Sequence, residues 1–250
     1  MPSRIDYLSR KATEKYKVAK MNKHYLKDRL HYLLFGCPLC QPKVRSSTEK
    51  LPDYVRRTKT LYIHIPKAGG SSISMGLYGR QIGHWALRDW EAKYGSAIHE
   101  LTTFSVLREP VSRFISAFWF LKGGGMNELD QNFANTHLSK YETPDDLALD
   151  LLDPPTQGYV LSYFHFRPQF EFICNEDFDV SLDYLIPLEN MREGLDKMFA
   201  AEGFSFDVPR LNEGSRAKGS VTELSGEGLD ILHLIYRDDF ALYERISTPK

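Results

Sequence analysis

Cysteine is scarce in this 250-residue chain: Cys37, Cys40 and Cys174 are the only three. An odd, small number gives no disulfide framework and fits a reducing compartment. Cys37 and Cys40 stand in a CPLC pair that could form half of a zinc site or a redox motif. No second pair at metal-ligand spacing accompanies it and no strand precedes it, so two ordinary thiols is the expected reading. Long apolar runs are missing too. The best candidate, the mixed run Phe114 to Leu121, falls well short of the roughly 18 apolar residues that span a bilayer. The first residues are basic but carry neither the apolar h-region nor the small-residue cleavage site of a secretory signal. The expectation is a cytosolic chain with no transmembrane anchor.

Charge of one sign is also absent overall, with a net charge of -1, yet its distribution is uneven. Residues 1 to 50 hold 12 Lys and Arg against 4 Asp and Glu, a balance of +8, which leaves 20 against 29, or -9, for the rest. An acidic body argues against nonspecific nucleic-acid binding, which needs clustered cations on a folded surface. It also favours a neutral or lightly charged partner over a polyanion. Residues 1–55 read as a basic arm of one or two amphipathic helices, with Tyr7, Tyr16, Met21, Tyr25, Leu30, Leu33 and Leu34 as its apolar side, ending at the breakers Gly36, Pro38 and Pro42. Residues 56–250 are the single main domain, whose composition, within a chain 42% hydrophobic and 26% charged, is ordinary for a globular protein.

What is present in the body is a repeated unit of strand, loop and helix. TLYIHI is a β-rich run, PKAGG a loop, and SSISMGLYG opens with hydroxyl residues suited to a helix N-terminus. TTFSVL is a second buried strand, followed by a helix with Pro110 in its first turn and an apolar stripe of Phe114, Ala117, Phe118 and Leu121. Two such units in succession predict an α/β fold with a parallel sheet. Residues 127–155 are polar, with one short helix expected at Asp145–Leu152. SLDYLIP is a third strand candidate, a helix follows over Glu189–Ala201 with Met191, Leu195 and Met198 on one face, Gly203–Gly219 is a long loop, and a helical pair closes the chain.

The loop IHIPKAGGSS carries the strongest chemical signal. A helix N-terminus offers unsatisfied N–H groups and a positive dipole end, and Gly69 and Gly70 let backbone approach an anion closely. Lys67 adds a full charge, while Ser71 and Ser72 add hydroxyl donors. Three other readings of this segment stand: a plain structural turn with an exposed lysine, the phosphate loop of a kinase or NTPase, or the cradle of a non-catalytic nucleotide-binding protein. The second needs G-x-x-x-x-G-K-[ST], whereas here the lysine precedes the glycines. No acidic metal partner follows the second strand, so no metal is implied. Arg108 at the end of that strand can reach a phosphate bidentately, and Ser116 on the next helix can donate from the same side, with Arg113 able to assist. Equally, Arg108 could be an ion-pair partner and Ser116 a packing residue.

Taken together, PKAGGSS (Pro66, Lys67, Ala68, Gly69, Gly70, Ser71, Ser72) resembles the 5'-phosphosulfate loop of PAPS-dependent sulfotransferases, especially the branch of carbohydrate 2-O and 6-O enzymes of heparan sulfate type. LREPVSRFISAF places Arg108 and Ser116 as that family places its 3'-phosphate-binding arginine and serine, and HFRPQFEFI, IPLENM, RLNEGSR and IYRDDFALYERI look like further family blocks. The resemblance extends over roughly Thr60–Ile246. It implies a P-loop-like parallel sheet flanked by helices, PAPS as sulfuryl donor, PAP as product, and a hydroxyl-bearing acceptor, a glycan in that branch. Arg216, Lys218 and Gly219 are similar to the late basic loop that closes over the 3'-phosphate. His84 sits where the branch places its catalytic base, and an imidazole with an ordinary pKa near 6.5 suits that task at neutral pH. His84 could instead be a packed or surface histidine. His64, alternating with Tyr62, is expected at the core edge and is the nearest rival for the base. His165 is expected to line the acceptor cleft, and His99 and His233 to be structural.

Overall fold

The computed structural model describes residues 49–175, 179–206, 208 and 223–248. Residues 1–48 of the expected arm, with Cys37 and Cys40, and the late loop holding Arg216, Lys218 and Gly219 lie outside the described residues. Helix α1 (Asp53–Thr58) leads into strand β1 (Thr60–Ile63), and helices α2 (Gly70–Tyr78) and α3 (Leu87–Tyr94) separate it from β2 (Thr102–Leu107). After α4 (Pro110–Lys122) come α5 (Glu128–Phe133), α6 (Pro144–Asp150), α7 (Pro154–Ser162) and the single turn α8 (Phe170–Ile173). Strand β3 (Tyr184–Pro187), α9 (Met191–Glu202), α10 (Gly226–Ile235) and α11 (Arg237–Ser247) complete the described chain.

The fold is α/β, with a three-stranded sheet in the order β1-β2-β3 among the described residues, both pairings parallel. Buried parallel strands need apolar side chains on both faces, and β1 and β2 supply them. Leu61 and Ile63 pack with α3 residues Leu87, Trp90 and Tyr94, whereas Tyr62, Phe104 and Val106 pack with Ile73 of α2 and with Leu195, Met198 and Phe199 of α9. The alternation follows from the two-residue period of a strand. The stripe of α4, Phe114, Ala117, Phe118 and Leu121, is buried in a third cluster with Leu147, Ala148, Ile231 and Leu232. Each such large side chain contributes about 1.5–3 kcal/mol by leaving water.

Register decides where function can sit. Ile63 lies opposite Ser105, and Leu107 opposite Pro187, so the chain leaves all three strands at one edge of the sheet. Ligands of open parallel sheets bind outside the carboxyl ends of the strands, and the loop 64–69 and residues 108–109 emerge there together. The polar stretch 127–155 is more ordered than its composition implies. Besides the expected helix, found at Pro144–Asp150 with a Thr143–Asp146 capping box, it holds α5 and a π-helical turn at Ala134–Leu138. No helix among the described residues is long and apolar enough to cross a membrane.

Candidate functional site

Strand β1 ends at Ile63, and the buried residues His64, Ile65 and Pro66 carry the chain to Lys67. Lys67 has φ 67° and Gly69 φ 77°, so the loop turns through the left-handed region twice before α2 begins. For lysine this backbone costs roughly 1–2 kcal/mol, a strain that persists only where surrounding contacts impose it. Those contacts are at hand. Arg113 Nε donates to the Pro66 carbonyl at 3.0 Å, and Arg108 Nη1 donates to the Lys67 carbonyl at 3.3 Å. A Cβ on Gly69 would stand 2.8 Å from Leu188 Cδ1, and one on Gly70 would stand 1.9 Å from His64 Cδ2. Only glycine fits at Gly70, where the His64 ring lies against the backbone.

The two strand-to-helix units end differently. Glu109 caps α4 with its own carboxylate, accepting from the N–H groups of Val111 and Ser112, which fills that helix terminus with negative charge. Helix α2 has Gly69 as its N-cap and no side-chain cap. A terminus with its positive dipole end and no capping carboxylate suits an anion from outside. Lys67 stands beside it, its ammonium 3.8 Å above the Phe120 ring centroid. Burial first, then the Arg108 guanidinium, push the Lys67 ammonium down to about 8, while Asp130 opposes them. At neutral pH it remains mostly a cation.

Arg108 is half-buried and held from behind. Gln169 Oε1 accepts from the Arg108 N–H at 2.9 Å, and Gln169 Nε2 donates to the Arg108 carbonyl at 2.8 Å. The buried Asp239 carboxylate in turn accepts from the N–H groups of Gln169 and Phe170, both at 2.8 Å. Arg113 is 2% exposed; burial pulls its pKa below the ordinary arginine value, and the Asp239 charge opposes that. The structure therefore gives Arg113 a bracing role on the loop carbonyl. Ser71 is half-buried at the start of α2, with its carbonyl accepting from Gln81 Nε2 at 3.3 Å; Ser72 and Ser116 are buried in α2 and α4.

Three imidazoles converge next to the loop. His84, between α2 and α3, places Nδ1 3.0 Å from the His64 carbonyl. A carbonyl only accepts, so Nδ1 carries the proton and Nε2 presents a lone pair. Its ring lies 4.2 Å from that of His64 and stacks on Phe164 at 5.2 Å. Burial lowers its pKa, which favours the neutral form. His64 is 6% exposed, with Nδ1 3.3 Å from the Ile82 carbonyl, and burial followed by the His84 charge pushes it down to about 3. His165, 6.2 Å from His84 and 4.8 Å from Phe120 between ring centroids, completes the group. His99 and His233 are exposed, the latter stacked on Phe240 at 3.9 Å. The Gln169 clamp and the Asp130–His165 pair carry no sequence signal, since each joins residues dozens apart.

A lysine and an arginine tied to one uncapped, glycine-cradled helix terminus, with a neutral imidazole close by, can hold an anion and accept a proton. The model of the sulfotransferase family matches residues 53–244, which is most of the chain and all of this site. The chain belongs to the sulfotransferase family. It is accordingly a transferase of sulfuryl groups to a hydroxyl-bearing acceptor, in a family that generally uses PAPS and releases PAP. No curated protein and no solved structure matches the chain. Among the described residues of this sulfotransferase, no cluster of three or more His, Cys, Asp or Glu is arranged to hold a metal ion.

Proposed function

We propose that this sulfotransferase moves a sulfuryl group from PAPS to a carbohydrate hydroxyl, with Lys67 and His84 as catalytic residues. The observation that carries the reading is the α2 N-terminus, which has no side-chain cap and whose preceding loop is fixed by Arg108 and Arg113 beside the Lys67 ammonium. The donor has two separated anionic ends, and the residues divide to suit them. Pro66 to Ser72 would hold the phosphosulfate, and Arg108 with Ser116 the 3'-phosphate, joined by Arg216, Lys218 and Gly219 from the late loop. When bound, the donor supplies a sulfuryl group on a phosphate leaving group.

His84 Nε2 takes the proton of the acceptor hydroxyl as the oxygen bonds to sulfur. The bond from sulfur to the leaving phosphate oxygen breaks, and that oxygen keeps the electron pair. Lys67 and the first N–H groups of α2 stabilise the charge that develops there. Glycan acceptance follows the branch resemblance, and the acidic body favours a neutral or lightly charged glycan.

Calorimetry and an acceptor screen with labelled PAPS test the proposal. PAP binding and label transfer to a glycan are the expected results. Binding of ATP with magnesium, with none of PAP, would overturn it.

A further inference from the structure

His165 is 5% exposed and belongs to the wall of the Lys67–His84 centre. Its two ring nitrogens have unlike surroundings. Nε2 lies 3.3 Å from Asp130 Oδ1, whereas Nδ1 is buried with no hydrogen-bond partner. A carboxylate at that distance favours the proton on Nε2, which leaves Nδ1 with a bare lone pair. A buried acceptor left unpaired costs roughly 1–3 kcal/mol, so such groups call for an explanation.

Asp130 is built to impose this tautomer. It is 1% exposed, its Oδ1 also accepts from the Tyr163 hydroxyl at 2.5 Å, and its Oδ2 accepts from the Met126 N–H at 2.9 Å. Gly125 has φ 64°, and a Cβ there would stand 2.1 Å from Asp130 Cβ, so the glycine turn closes directly on the acid. The charged and titratable groups around His165 are Asp130 and Tyr163, His84 and His64, Lys67, and Arg113.

We propose that His165 is a further catalytic residue whose Nδ1 accepts a hydrogen bond from a second hydroxyl of the acceptor, next to the one that is sulfated, with Asp130 as its positioning residue. The inference rests on the sulfotransferase reading and narrows its substrate to acceptors with neighbouring hydroxyls. It divides labour between two imidazoles. Burial, then the charges of His84, Lys67, Arg113 and His64, hold His165 far below the ordinary histidine range, so it orients a hydroxyl and does not store a proton. His84 has fewer such neighbours and takes the proton.

The test is a cycle between substrate and residue. An acceptor found with labelled PAPS is compared with its deoxy analogue lacking the neighbouring hydroxyl, in the wild type, in His165→Gln and in Asp130→Asn. A site that hydrogen-bonds a hydroxyl discriminates strongly against its loss. Removing the hydroxyl is expected to lower kcat/KM by roughly tenfold or more in the wild type and by less than about twofold in His165→Gln. Asp130→Asn, which offers Nε2 a donor, is expected to shrink the discrimination as well, with PAP affinity unchanged in both variants. Nitrogen-15 spectra of labelled histidine read the tautomer without any acceptor, and a wild-type His165 protonated at Nδ1 would overturn the proposal. Equal discrimination in wild type and His165→Gln, with PAP bound by both, would overturn it too. A wild type that binds no PAP would instead sink the sulfotransferase mechanism itself.

Discussion

Gln169 grips the backbone of Arg108 at both polar atoms, accepting from its N–H at 2.9 Å and donating to its carbonyl at 2.8 Å. This fixes the residue that itself donates to the Lys67 carbonyl, so a side chain from the α7–α8 connection braces the Lys67 loop. Replacing Gln169 by Leu leaves the N–H and carbonyl of Arg108 unpaired. Each such group costs about 1–3 kcal/mol when buried, and Arg108 is half-buried, so a loss near 2 kcal/mol of stability is expected. Urea unfolding reads this loss, and PAP calorimetry is expected to show about tenfold weaker binding. Unchanged PAP affinity would remove Gln169 from the account of the site.

Lys67 is strained at the position where we propose that it acts. Its left-handed backbone is one that glycine adopts freely, so Lys67→Gly is expected to keep or slightly raise the melting temperature. Sulfuryl transfer should nevertheless fall by about 10²–10³, the loss typical when a charge-stabilising group is removed from a transition state. Melting curves and single-turnover transfer assays check both halves. A variant that loses stability and activity in parallel would mean that Lys67 serves the fold.

Gly70 faces the opposite constraint. A Cβ there would lie 1.9 Å from His64 Cδ2 and 2.0 Å from Nε2, so Gly70→Ala must displace the His64 ring, which His84 packs against at 4.2 Å. Overpacking of this kind costs about 1–3 kcal/mol. The displaced ring should also disturb His84, the proposed proton acceptor, lowering kcat more than PAP affinity, as kinetics and calorimetry on the same preparation would show.

The pH dependence carries two signs. Lys67, lowered to about 8, loses its charge as pH rises, so kcat/KM is expected to fall on an alkaline limb near pH 8, which reports the free enzyme. His84 must be neutral to accept a proton, and burial holds its pKa below 6.5, so the acid limb lies below that value. Stability responds on the acid side. His64 is neutral in the fold down to about pH 3 but titrates near 6.5 when unfolded, so the unfolded state binds more protons between these values. Its contribution falls with decreasing pH, by about 2 kcal/mol at pH 5. Asp239, raised to about 6 chiefly by burial, returns part of this between pH 6 and 3.8. Denaturant titrations at pH 5 and 7 should show a net acid loss that His64→Gln diminishes.

Much of the fold was legible because its signals are local. The β-rich runs at 60 and 102, Pro110 with its stripe, and the closing helical pair each follow from the period or chemistry of a short segment. The helix Leu87–Tyr94 carries no clear sequence signal: its composition is mostly polar, and only Leu87, Trp90 and Tyr94 are buried. Residues 128–138 gave no periodic pattern because Asp130, a buried acid, occupies the core-facing position. The loop proposed to hold an anion stands out in the sequence through Lys67, Gly69 and Gly70. What holds it does not, since Arg113 reaches back 47 residues to Pro66, Gln169 reaches 61 to Arg108, and Asp239 reaches 70 to Gln169. Such contacts depend on the sheet bringing distant loops to one edge.

Transfer from labelled PAPS by wild type and Lys67→Gly, with PAP affinity measured on both, tests the central claim most directly. The account predicts label on a carbohydrate hydroxyl in the wild type and transfer reduced by about 10² or more in the variant, both proteins remaining folded. Undiminished transfer by Lys67→Gly would contradict it.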